Sequence, residues 1–340
     1  MLRHFIVSAL LIVVLSGTDP VYADESKDPV HNFEVLWKTI NENYGNFPVK
    51  SVDWDALYSI YRPKVHADMS DEAFYELMCR MLDHLNDGHV GISNGKDWFS
   101  SGKRGLLDPE DFSLKCVEEK YLHGDFENDA DNRFTIGKLT ESIAYMHFTN
   151  FDNGKSSGEI TDKLLALCDP CDGIVIDVRN NGGGSDYVGR IIAGRFADAK
   201  RPYLITRAKT GPGKDDFSEP RLFHIEAKGD KQFTGPVIVI TNRSSASAAE
   251  VFSLGMRTLP HVTHIGTRTL GVFADARGDS LPNGWTIKYP FTYFNDHNDV
   301  SHEGIGVIPQ IRVINTTEDL AANSDLPIEL AIQLIQQSGK

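Results

Sequence analysis

Along the first part of the chain, from about Asn32 to Leu85, apolar residues recur at helical spacing. The clearest case begins at Ser70, a residue type that caps helix N-termini, and places Phe74, Leu77, Met78, Met81, Leu82 and Leu85 on one stripe. That spacing predicts a helix stopping at Asn86-Asp87-Gly88, with Gly88 in the left-handed conformation that closes a helix and His89 presented just beyond it. From about Ile143 the pattern changes to short unbroken runs, strongest at Ile143–Phe148, Ile174–Val178 and Val237–Thr241. Uninterrupted Ile174-Val175-Ile176 and Val237-Ile238-Val239-Ile240 are expected of strands covered on both faces of a sheet. Asn283-Gly284, between Leu281 and the Trp285–Tyr289 run, signals a hairpin. The pattern predicts an α/β protein with an N-terminal helical cap.

Four spans are expected: a signal peptide over 1–23, a helical cap over 24–95, a linker or small β layer over 96–135, and an α/β core over 136–340. The first follows from a charged start at Arg3, an apolar stretch from Phe5 to Leu15, and small Ala23 before Asp24. The apolar stretch is shorter than the roughly 20 residues a membrane span needs, so cleavage after Ala23, no stable membrane insertion, and a periplasmic or secreted product are expected. The linker is too short for an inserted peptide-binding domain.

Charge narrows the partners. With 34 basic and 48 acidic side chains the formal charge is −14, which repels phosphate backbones and anionic lipid, so nucleic acid is excluded as a partner. Among the four cysteines, Cys168 and Cys171 have redox-motif spacing, but no second pair completes a zinc site; a local disulfide or two plain thiols are the readings. His84, Asp87 and His89, or His261 and His264, lack a third ligand at regular spacing, so no metal or other cofactor is expected.

Four segments carry residues suited to chemistry. Asn242 to Glu250 follows a strand and opens a helical pattern, placing Ser247 at a strand-to-helix turn where free N–H groups can stabilise an oxyanion. Asp177 to Gly184 ends another strand in three consecutive glycines, which allow a sharp turn and close backbone approach. It matches neither a dinucleotide fingerprint nor a P-loop, so oxyanion or peptide-backbone binding fits better than phosphate. Asn86-Asp87-Gly88-His89 sets an imidazole at a helix end, and Ser301 to Pro309 sets Glu303 before two glycines. Each alone has an ordinary structural explanation, as a helix cap, a turn or a buried histidine.

Together and in this order, the four segments resemble the family of tail-specific (C-terminal processing) and tricorn core proteases, over roughly Asn32 to Ile335. The resemblance implies a crotonase-like core of stacked β-sheets and helices, a serine peptidase acting on peptides or unfolded proteins, and no metal. In the tail-specific branch a lysine serves as base in the strand after the nucleophile; here Val272 stands in its place. The tricorn-like branch maps by motif onto Ser247 as nucleophile, His89 as base and Glu303 as support. It has a serine before the histidine, where this chain has Gly88, so Glu303 would reach His89 directly, through water or through another hydroxyl. Ala248 and one of Gly182 or Gly183 would supply oxyanion N–H groups. A homo-oligomer is compatible with the resemblance. The alternative is a non-catalytic small-molecule or peptide binding protein of the same fold, as in a retinoid-binding protein of the eye.

Overall fold

The computed structural model describes residues 25–102, 111–129, 133–152, 154–167 and 169–338. The signal-peptide span 1–23 and Cys168 lie outside the described residues.

A seven-stranded sheet organises the second half of the chain. Its order is Ile311–Arg312, Val262–Gly266, Val237–Thr241, Gly173–Asp177, Ile143–Phe148, Phe134–Thr140 and Phe126–Asn128. Pairing is parallel from the first of these to Ile143–Phe148 and antiparallel beyond it. Both faces are covered. Ile174, Ile176, Val237 and Val239 point into one core with Phe151, Val188 and Phe252, while Val175, Ile238 and Ile240 point into another with Val117, Ile328 and Ile335. Two-sided burial is the physical reason the strand sequences are unbroken apolar runs. A three-stranded sheet of Thr292–Asp296, Arg201–Ala208 and Arg221–Ile225 adds a further layer.

The N-terminal cap consists of helices Pro29–Asn43, Trp54–Tyr61 and Asp71–Asp83. Asp28, Asp53 and Ser70 cap them, each side chain accepting an N–H of the first turn. The third helix ends earlier than the sequence pattern predicts, at Asp83, and the left-handed residue is Asn86 (φ 45°) rather than Gly88. The reason is Asp87. Its fully buried carboxylate accepts the Tyr44 hydroxyl at 2.7 Å, Asn46 Nδ2 at 2.9 Å and the His89 N–H at 2.8 Å, and this draws the chain out of the helix.

The cap is completed from far along the sequence. The hairpin of Ala276–Ser280 and Thr286–Pro290, with Gly284 at φ 86°, pairs its second strand to Gly91–Ser93, which in turn pairs with Trp98–Ser100. Trp285, Ile287 and Tyr289 thereby share a core with Phe33, Leu36 and Met78 of the cap helices. In the span expected as linker, Trp98–Ser100 joins this cap sheet, Phe126–Asn128 edges the central sheet, and Leu114–Tyr121 is helical.

Candidate active site

Ser247 follows the loop leaving strand Val237–Thr241 and immediately precedes helix Ala248–Arg257. Its backbone is at φ 54°, ψ −120°, a conformation a non-glycine residue adopts only when its surroundings impose it. Glu250 imposes it from inside the turn. That fully buried carboxylate accepts the N–H groups of Ser247 (2.9 Å), Gly271 (2.6 Å) and Val272 (2.8 Å) and the Thr269 hydroxyl. Burial pushes Glu250 up to about 7 even against these four donors.

The glycine-rich loop is fastened to the serine loop from below. Asn242 and Asn180 exchange hydrogen bonds of 2.8 and 3.0 Å, Ser245 Oγ donates to Val178 O at 2.7 Å, and the Ala246 N–H donates to Asn181 O at 2.9 Å. Gly183 lies so close that an added Cβ would sit 2.7 Å from Ser247 Cβ, and its φ of 99° also suits glycine. The N–H of Ala248, in the first helical turn, has no acceptor among the described residues, as an oxyanion donor requires. Gly182 and Gly183, also expected as oxyanion donors, instead give their N–H groups to Thr149 O at 3.3 Å and Asn181 Oδ1 at 2.9 Å in this conformation.

His89 and Ser247 line one cavity of about 500 Å³, together with Gly182, Gly184 and Ala246. Burial holds the imidazole below its ordinary range; Asp87 opposes this, while Lys288 and Lys50 add to it. A neutral imidazole is the form that accepts a proton. Its Nδ1 is buried without a hydrogen-bond partner among the described residues.

Glu303 makes no hydrogen bond to His89 among the described residues. It is buried, its Oε2 accepts the Phe273 N–H at 2.7 Å, and its Oε1 lies 2.6 Å from Lys50 Nζ, whose side chain is 9% exposed. Lys50 also donates to Asn86 O at 2.8 Å, which ties Glu303 to the turn carrying His89. Burial and the Asp87 charge push the Glu303 carboxyl up, against the pull of Lys50. Lys50, Asp87 and Glu250 are thus parts of the site that the sequence reading did not single out. Asp87 lay within a quoted motif, and Lys50 carried no local signal.

Gly88 and Val272, the two positions at which the chain departs from the resembling branches, are neighbours. A Cβ on Gly88 would meet Val272 Cγ2 at 3.0 Å. The valine occupies the space beside the histidine turn, and the missing side chain at position 88 accommodates it. Elsewhere, His264 Nε2 is hydrogen-bonded to Thr241 Oγ1 at 2.8 Å, and Cys79, Cys116 and Cys171 are free thiols.

The sequence profile of peptidase family S41 matches residues 142–313, and that of the tricorn protease C1 domain matches residues 26–83. The chain belongs to peptidase family S41. It is 24% identical to the tricorn protease of Thermoplasma acidophilum over 238 residues, covering 69% of this chain and 20% of that protein. It is 31% identical to the carboxy-terminal processing protease CtpB of Bacillus subtilis over 153 residues, covering 43% of this chain and 29% of that protein. It therefore spans less than a third of the length of either relative. A crystal structure of a candidate peptidase from Parabacteroides merdae is 32% identical and covers 91% of this chain and 96% of that one, with a TM-score of 0.83.

Proposed function

We propose that the chain is an exported serine peptidase that hydrolyses peptides or unfolded proteins. Ser247 attacks the carbonyl carbon while His89 removes the hydroxyl proton and later delivers it to the leaving amine. The resulting acyl-enzyme is cleared by a water that His89 deprotonates in the same way. The Ala248 N–H stabilises the oxyanion, and a small shift of the Asn181–Gly184 turn would free a second donor. The carrying observation is the meeting in one cavity of a serine held at positive φ and an imidazole whose pKa is held down by burial, with the unpaired Ala248 N–H next in sequence to that serine.

Glu303 supports the base at one remove. Its ion pair with Lys50, and the Lys50 contact to Asn86 O, hold the turn that carries His89. The orphan Nδ1 suits a bridging water in place of a side-chain hydroxyl. Export rests on the sequence of residues 1–23; among the described residues no helix is long and apolar enough to cross a membrane.

The test is fluorophosphonate labelling together with hydrolysis of a peptide library. Wild-type protein is expected to label at Ser247 and to cleave, and Ser247→Ala to lose labelling and at least about 10⁴-fold in rate. Cleavage by Ser247→Ala at the wild-type rate overturns the assignment, and a folded wild type that neither labels nor cleaves supports the binding-protein alternative.

A further inference from the structure

The cavity that holds Ser247 and His89 also has two carboxylates in its wall, neither used by the proposed chemistry. Asp186 is the first residue of helix Asp186–Ala193, just past the glycine-rich loop. Asp275 stands before strand Ala276–Ser280, where Thr292 Oγ1 accepts its N–H at 2.7 Å and the Phe291 N–H donates to its carbonyl at 3.0 Å. The two belong to separate elements, and both line the same cavity.

Neither carboxylate has a hydrogen bond or ion pair from its side chain among the described residues. Arg190, the nearest cation along the helix, stacks on the Phe223 ring at 4.9 Å and makes no ion pair with Asp186. Lys288 lines the cavity without pairing with either. Burial, reinforced by the Asp275 charge and opposed by Arg190, pushes Asp186 up to about 7, and partial burial pushes the solvent-exposed Asp275 up as well. Two acids near each other in a cleft, with no ion pair to either, repel, and a cation placed between them relieves both. Val251, Ala274, Ala276 and Phe294 supply apolar wall in the same cavity. An apolar wall ending in carboxylates fits a long alkyl stem with a charged head.

We propose that Asp186 and Asp275 form a cation-binding subsite that takes a lysine or arginine side chain of the peptide and thereby selects the bond that is cut. This rests on the peptidase reading above. The subsite sets specificity and takes no part in bond making.

The experiment uses full-length protein and a library of N-acetylated peptides, with cleavage positions read by mass spectrometry. Wild type is expected to enrich lysine and arginine at one position flanking the scissile bond. Asp186→Asn and Asp275→Asn, made separately so that a misfolded variant does not decide the outcome, are each expected to lower the ratio of kcat/KM for a lysine peptide over its leucine counterpart about tenfold. An unchanged ratio in both folded variants, or wild-type cleavage without basic enrichment, overturns the subsite alone. In a second library with free N-termini, cleavage where the acetylated library gives none also overturns it, since the cation would then be the chain terminus. Absence of both fluorophosphonate labelling and cleavage sinks the peptidase reading and takes the subsite with it.

Discussion

Gly88 and Val272 illustrate what a single side chain decides at this site. With the Cβ of any larger residue at position 88 directed 3.0 Å from a valine methyl, the two positions are sterically linked although far apart in sequence. Gly88→Ser is expected to cost about 1–3 kcal/mol in stability through overpacking. Val272→Ala is expected to relieve it, giving a favourable coupling of about 0.5 kcal/mol or more in a double-mutant cycle followed by thermal unfolding. Strict additivity would refute the contact. The strand-to-helix turn at Ser247 was legible because an apolar strand, a run of small residues and an amphipathic helix follow one another without a gap. Lys50 and the cavity carboxylate Asp186 were not. Lys50 reaches the site from the loop after the first cap helix and Asp186 from a helix start, and nothing local to either residue announces a partner. Asn86 in place of Gly88 as the left-handed residue is the same lesson at shorter range, because the three groups that pull on Asp87 come from the first cap helix, the loop after it and the turn itself.

Among the elements, the strands were read correctly from two-sided burial, and the cap helices from their stripes. What periodicity could not reveal is how the last helix, Leu326–Ser338, is tied to the start of the glycine-rich loop. Arg179, fully buried and stacked 4.1 Å from the Phe112 ring, holds Asp177 at 2.6 Å on one side and Asp325 at 3.0 Å on the other. Asp325 also accepts the Ile328 N–H in the first turn of that helix. Asp325→Ala removes a charge partner and a helix cap together, and is expected to lower stability by about 3 kcal/mol. Urea denaturation would show this as a lower midpoint at unchanged slope. An unmoved midpoint would falsify the clamp.

Over the whole molecule, the environment of His89 is assembled from three separate parts of the chain: Asp87 of its own turn, Lys50 after the first helix and Lys288 of the late hairpin. Because burial and the two lysines lower the imidazole, its basic form persists below the ordinary range near 6.5. The acid limb of kcat/KM is therefore expected below pH 6.5, and Lys288→Ala, by removing a cation, should move it upward. A limb at or above 6.5 in the wild type, or a downward shift in the variant, would contradict this origin.

The strand that follows His89 is paired, Gly91 to Lys288, with a segment synthesised long after Ser247. On the ribosome Ser247 and His89, the proposed nucleophile and base, both emerge before the hairpin whose second strand pairs with the strand after His89. Until translation has passed Pro290 the strand that follows His89 lacks its partner in the cap sheet. On the proposed function, the chain is therefore expected to gain the ability to cut peptides only when its own making is almost complete.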